Sequence, residues 1–350
     1  MKASDPAPDS AAIKSRAAAL GFDLCGITGA DPSGHADFFR QWTADGKAGE
    51  MAWLARNAER RLDPRTVLPG ARSIIIAGLN YWQAQPARRG RIARYALGDD
   101  YHALLLEKLG MLAAELVRAG GLAKIYTDTG PVLEKPLAER AGLGWQGKST
   151  MLINTKFGPW LLLGEILTNL DLAPDTPQRD HCGSCNRCLA ACPTGAITAP
   201  YQLDARRCIA YLTIELKGAI PEELRPLIGD RVYGCDECLD VCPWNRFART
   251  TREARFLAPG EDASRDRLHA LLDLTPAGFK RRFARSPILR VKRRGLLRNV
   301  CVVLGNIGDA GDLPALEKAS RQEEPLVREH ALWAIRRIRE RTASENSWQK

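Results

Sequence analysis

Eight of the ten cysteines fall into two spaced sets. Cys182, Cys185, Cys188 and Cys192 have Cys-x2-Cys-x2-Cys-x3-Cys spacing and are followed by Pro193. The second set holds Cys235, Cys238 and Cys242, followed by Pro243, with its first member displaced upstream to Cys208. Thiolates spaced this way sit on short turns around a cube of iron and sulfide, and in paired sites the fourth cysteine of a run ligates the other cluster. The crossed rule predicts one [4Fe-4S] cluster on Cys182, Cys185, Cys188 and Cys242. It predicts a second on Cys192, Cys208, Cys235 and Cys238. Structural zinc would use two Cys-x2-Cys pairs and leave the Cys-x3-Cys-Pro endings without a purpose. Disulfides need an oxidising compartment, and the polar, Pro-rich first ten residues contain no apolar signal core. Cys25 and Cys301 lie among apolar neighbours and read as packing residues.

Outside the cysteines the chemistry is sparser. Asp128 lies between an expected strand and an expected helix, where loops commonly present site residues. It reads either as a proton donor or as a cap for the helix that starts near Pro131. To act as an acid at neutral pH it would need its pKa raised by an apolar surface. His102, in Asp100-Tyr101-His102, reads as a hydrogen-bonded structural histidine, and His181 as packing beside the cluster loop. The glycine-rich run at 142–148 lacks the frame of a phosphate-cradling loop. No Gly-x-Ser-x-Gly elbow appears.

The net charge of +10 is concentrated. Lys280, Arg281, Arg282, Arg285, Arg290, Lys292, Arg293, Arg294 and Arg298 form a run of nine basic residues with no acidic one between. Interleaved with Phe283, Ile288 and Leu289, a one-sign run suits phosphate backbone as well as it suits a solvated face.

These residues must be positioned by a scaffold. A length of 350 residues, 45% hydrophobic and 26% charged, suits two or three globular domains, and no apolar run is long enough for a membrane span. The pattern predicts helices over 13–20, 37–42, 50–60, 103–119 and 132–141, and strands over 22–28, 71–79, 124–127 and 160–167. The 71–79 run is of the kind found in sheets covered on both faces. Residues 171–180 form a polar connector, 208–217 a helix, 220–227 a Pro-bounded turn and 246–265 a linker. The remainder is helical, and 298–308 aligns with 328–338, a period of 328 − 298 = 30 residues. Such helix pairs look like HEAT-type solenoid units. The fold class is α+β. An α/β domain spans 1–173, a ferredoxin-like two-cluster domain 174–250, and a basic linker with HEAT-like helices 251–350.

Taken in order, several short motifs resemble the epoxyqueuosine reductases, cobalamin-dependent iron–sulfur enzymes that act on a modified tRNA base. They include Gly21-Phe22-Asp23, Arg61 before Pro64, Asp100-Tyr101-His102, Asp128-Thr129-Gly130-Pro131 and Glu139-Arg140-Ala141-Gly142. Gly147-Lys148, Leu163-Gly164-Glu165-Ile166, both cysteine sets, Tyr211-Leu212-Thr213, Lys217-Gly218 and the C-terminal repeats complete the set. The resemblance implies that the first domain binds cobalamin. It also implies the last step of queuosine synthesis, two-electron removal of the epoxide oxygen from epoxyqueuosine at the tRNA wobble position. Asp128 falls on the family's proton donor. Arg61, Lys217 and the neighbourhood of Tyr95 fall on cobalamin-contacting positions, and Asp236 and Glu237 where the cofactor meets the cluster domain. Ala210 stands where many members have serine, so a cofactor hydrogen bond is missing there. Ile214, where many members are polar, Leu216 and Arg225 fall near tRNA contacts, joined by Arg290, Lys292, Arg293 and Arg294 of the basic run. The implied partners are the anticodon stem–loop of tRNA and an external low-potential electron donor, for a cytoplasmic monomer with no membrane contact.

Two competing readings remain at this point: another corrinoid iron–sulfur reductase of the dehalogenase kind, and a non-catalytic electron-transfer protein that docks through its helical repeats. A twin-arginine export signal, common in the former, is absent from the N-terminus.

Overall fold

A computed structural model describes residues 9–85, 89–258 and 266–348. The first eight residues of the polar N-terminal stretch and residues 259–265 of the expected linker lie outside the described residues.

Four strands form one sheet in the order Leu24–Gly29, Ser73–Asn80, Leu161–Thr168, Ala123–Tyr126. The strand Ser73–Asn80 is buried at every position. Its side chains alternate between two cores because successive residues point to opposite faces. Ile75, Ala77 and Leu79 join Leu105, Leu109, Leu112 and Leu116 of the helix Tyr101–Arg118. Ile74 and Ile76 join Val67, Leu137 and Leu163 on the other face. The sheet is thus covered on both faces, as the apolar run predicts. Its neighbouring strands, however, are all antiparallel. Among the described residues this sheet therefore contains no parallel βαβ unit, and the first half is α+β, a correction to the α/β layout expected for it.

The long helix begins where Asp100 accepts the His102 N–H as N-cap. The helix expected over 132–141 starts later, at Glu134, because residues 128–133 are used in a bend. The expected helix 50–60 divides into Ala52–Arg56 and Ala58–Leu62 at Asn57. The helix over 208–217 shortens to Ile209–Ile214. Its departing chain is held by Arg298, which is fully buried and donates to the carbonyls of Leu216, Gly218 and Leu212 at 2.8, 2.7 and 2.7 Å.

The C-terminal helices Lys292–Ile307, Leu313–Ala319 and Pro325–Trp348 do not form a free-standing layer. Leu297, Val300, Leu304, Ala331 and Ile338 share one core with Ile209, Leu212, Ile220 and Val232 from the segment between the cysteine sets. The two aligned segments of the thirty-residue period lie on helices that pack together. A Cβ on Gly305 would stand 2.5 Å from the Trp333 ring and 3.0 Å from Ala334, so the crossing requires glycine. Among the described residues no helix is long and apolar enough to cross a membrane.

Candidate active site

The cysteines lie on and beside two short helices that pack against one another: Cys188 is in Arg187–Ala191 and Cys238 in Glu237–Asp240, Cys182, Cys185, Cys192, Cys235 and Cys242 are in the flanking turns, and Cys208 caps Ile209–Ile214. Two of them, Cys242 and Cys238, have neighbours from the four expected for each. Burial pushes the Cys242 thiol up to about 11, and its charged neighbours are Cys182, Cys185 and Cys188. Burial pushes Cys238 well above the usual thiol range, with Cys208, Cys235 and Cys192 among the groups around it. Cys182, Cys185, Cys188 and Cys242, with Cys238 beyond them, line a cavity of about 250 Å³. Among the described residues no three His, Cys, Asp or Glu side chains converge tightly enough for a single ion. The first four thiols surround a space instead of a point, as a cluster demands. His181 packs edge-on to Trp145, centroids 5.0 Å apart, as expected for it.

A larger cavity, about 510 Å³, lies between the sheet and the segment after Cys208. Leu161, Leu162 and Leu163 form one wall, Ile214, Tyr233 and Leu289 another, and Tyr95, His102, Asp128 and Arg290 also face it. A second chamber of about 350 Å³ shares Asp128, Glu134 and Lys135 with the first. The two chambers meet at the loop that carries Asp128.

That loop is strained and braced. Asp128 has φ 53°, a left-handed conformation uncommon for a residue with a side chain. Its backbone N–H is accepted by the Glu134 carboxylate. Arg61, only 6% exposed, donates to the carbonyls of Gly130 and Val132 at 2.9 and 3.4 Å, while its buried Nε has no partner. Arg61 thus shapes the loop from behind.

Asp128 Oδ2 lies 3.3 Å from His102 Nε2, and His102 Nδ1 lies 2.7 Å from Asp100 Oδ1. Burial pulls the imidazole pKa down, but hydrogen bonds to Asp100 and Asp128 outweigh it and raise it to about 9. Burial pushes Asp128 up, yet His102 and Tyr101 hold its carboxyl below the usual range. The elevated carboxyl required of a lone acid is therefore absent in this state. Near neutral pH the proton rests on His102, bracketed by two carboxylates. The histidine read as hydrogen-bonded is so at both ring nitrogens.

The other expected residues divide. Tyr95 faces the cavity, edge-on to Tyr101 with centroids 5.9 Å apart. Ile214 lines it too, whereas Ala210 and Leu216 are half-buried and do not line it. Lys217 is exposed, and its backbone N–H donates to Glu50 at 2.8 Å. Asp236 accepts the Arg94 N–H and Nη1 at 2.9 and 3.2 Å. Burial pushes Asp236 up to about 6 against that pairing. Glu237 pairs with Arg231 and Arg91. Both acids between the cluster cysteines therefore clamp arginines. Arg225 is likewise engaged within the protein. It is 3% exposed, donates to the Ile220 carbonyl at 2.8 Å, pairs with Glu329 and stacks 5.7 Å from the Trp333 ring.

The basic run is not one surface. Arg298 is a core residue, Arg285 pairs with Asp99, and Arg293 donates to the Leu274 carbonyl and to Gln322. Arg290 pairs with Glu215 and lies 5.2 Å from the Trp53 ring at the cavity rim. Lys292 and Arg294 are exposed.

The sequence reading missed Glu134 and Glu165 as part of this site. Glu165 is fully buried in the strand Leu161–Thr168. A carboxylate inside an otherwise apolar strand was the signal for it.

Known proteins resemble this chain along nearly its whole length. Residues 181–245 match the 4Fe-4S double cluster binding domain, and residues 61–129 match Epoxyqueuosine reductase QueG, DUF1730. The epoxyqueuosine reductase of Xanthomonas campestris pv. campestris is 44% identical over 343 residues, covering 95% of this chain and 96% of that protein. The Escherichia coli K12 epoxyqueuosine reductase is 42% identical over 335 residues, covering 92% and 88%. A crystal structure of epoxyqueuosine reductase with a tRNA-Tyr epoxyqueuosine-modified tRNA stem loop superposes with a TM-score of 0.87 at 34% identity, covering 93% and 89%. Another, from Bacillus subtilis with its catalytic aspartate loop swung out of the active site, gives 0.84 at 33% identity over the same shares. With identity this high over almost all of both chains, the protein belongs to the epoxyqueuosine reductase family.

Proposed function

We propose that this chain reduces epoxyqueuosine to queuosine at the wobble position of tRNA, the last step of queuosine synthesis, with two [4Fe-4S] clusters and cobalamin. The observation that carries the reading is the Asp100–His102–Asp128 group, in which Asp128, on a strained loop where two chambers meet, faces the start of the helix Tyr101–Arg118. The division 1–173, 174–250 and 251–350 serves it with a cofactor domain, a cluster domain and HEAT-like helices.

The residues present fit both groups. Two fours of thiols suit two clusters, and the adjoining chambers of about 510 and 350 Å³, walled by Leu161, Leu162, Leu163 and Ile214, suit a large flat cofactor. Tyr95 would contact it, and Arg61 would act through the loop carbonyls. The exposed Lys217 would reach it from the rim, while Ala210 and Leu216 would only pack. When bound, cobalamin supplies the centre at which two electrons reach the epoxide, and the clusters deliver them singly from an external low-potential donor. Protein-bound clusters reach potentials of about −700 mV.

The chain's own residues then handle protons. Removing the epoxide oxygen breaks both C–O bonds, forms C=C and releases water, consuming two electrons and two protons. His102 passes its proton through Asp128 to the oxygen, and Asp100 keeps the imidazole oriented. The leucine wall excludes water from the reacting atoms. The wobble base must leave its stack to enter, which a loop permits more readily than a duplex. Arg290 at the rim and the exposed Lys292 and Arg294 suit the stem–loop phosphates, with Arg293 beside them and Ile214 in the wall where the base would arrive.

Anaerobic protein loaded with iron, sulfide and cobalamin, given a low-potential reductant, should convert epoxyqueuosine tRNA to queuosine tRNA. No conversion by protein carrying eight irons and the corrinoid would overturn the reading.

A further inference from the structure

The reaction above needs two protons for one oxygen, and the His102–Asp128 pair holds one. A second store lies directly behind the loop. Glu165 has no exposed surface, and both of its carboxyl oxygens lack a hydrogen-bond partner among the described residues. It shares the sheet face of Leu163 and Leu167 and stands opposite Tyr126 of the edge strand. The group within hydrogen-bonding reach of it is the carboxyl of Glu134. Two facing carboxylates cannot satisfy each other, whereas a carboxylic acid and a carboxylate can. Glu134 also opens onto both chambers and accepts the Asp128 backbone N–H. Asp128, Lys135, Tyr101 and Arg61 are the other ionisable groups that face Glu134, and none of them donates to Glu165.

Resting on the reaction proposed above, we infer that Glu134 and Glu165 share a single proton and act as a positioning pair that holds the Asp128 loop and restores its proton for the second transfer. The proton moves from the pair to the Asp128 carboxylate and on to the departing oxygen, which leaves as water. The pair regains its proton from solvent through the chamber that Glu134 faces. Burial raises the pKa of both carboxyls, and Asp128's charge adds to it for Glu134, in keeping with this arrangement.

Infrared spectra of the iron-loaded protein at neutral pH test the pair without turnover. Wild type should show the carbonyl stretch of a protonated carboxyl, shifted in D2O, that disappears in both Glu165→Gln and Glu134→Gln. Absence of the band in wild type, or its survival in both variants, would overturn the inference. In cobalamin-loaded enzyme, Glu165→Gln should lower kcat ~10-fold with KM for tRNA unchanged. Its amide still donates to Glu134, so a purely structural role would leave kcat intact, and that result would also overturn the inference. If Glu165→Gln fails to take up iron, Glu134→Gln at the chamber surface carries the same two readouts. A wild-type enzyme that shows the band but no turnover would instead overturn the proposed reaction.

Discussion

The cysteine loops and the Asp128 pocket are neighbours, yet they are specified in opposite ways. The cluster ligands come mostly from two short runs, residues 182–192 and 235–242, with Cys208 alone outside them. Their chemistry follows from spacing, because a short turn between cysteines leaves thiols few places to point. The pocket gathers Arg61, Tyr95, His102, Asp128, Glu165, Ile214 and Arg290 from across the chain, and no spacing encodes that. A site written in spacing should fail piece by piece when a ligand is removed. A site written in tertiary contacts should fail by degrees, with the clusters intact.

The largest effect expected is on the first kind of site. Cys188→Ala should cost about four of eight irons and abolish turnover, measured by iron analysis and tRNA assay. If iron stayed at eight, the crossed assignment would be wrong. Next, Asp128→Ala should lower turnover by about 10²–10⁴-fold with iron content unchanged. Full activity would remove Asp128 from proton transfer and leave it as loop geometry alone.

Arg298→Ala should destabilise the fold by about 3 kcal/mol in denaturant unfolding, since it removes the donor to one buried and two part-buried carbonyls and empties a core site. His102→Gln should lower kcat ~10-fold and abolish the alkaline limb of its pH profile. In wild type that limb should lie near pH 9, where His102 loses its proton. The sign for stability is the same. The folded pKa is raised above 6.5, so the contribution is complete below that value and is lost as pH rises to about 9. A flat kcat profile from pH 7 to 10 would return His102 to a structural role. The smallest effect belongs to the basic run. Lys292→Glu with Arg294→Glu should weaken tRNA binding at constant iron, and should reduce its salt slope by ~0.7–0.9 for each phosphate no longer neutralised. An unchanged slope would make these two exposed residues ordinary surface.

Reading from sequence stopped where the second kind of specification began. The buried strand Ser73–Asn80 was legible because its apolar run from Ile74 to Leu79 leaves little choice of environment. The antiparallel direction of its neighbours was not, because a strand's pattern is the same whichever way it runs. Asp236 and Glu237 looked available because two acids between ligand cysteines suggest function. Arg94, 142 residues earlier in the chain, is what takes up Asp236. The basic run looked uniform because charge is a property of residue type, while exposure depends on what lies beneath, as Arg298 in the core demonstrates.

Residue order by itself determined the two cluster loops, the alternation of strand and helix in the first half, and the acid at the loop after Lys124. Covalent spacing and side-chain periodicity act locally, so they survive without knowledge of the fold. Only the tertiary structure decided which ionisable groups face Asp128 and which arginines of the basic run are buried or paired. Charge, burial and hydrogen-bond partners at those positions are set by segments 26 to 142 residues away. Electrostatics depends on distance in space, not distance along the chain.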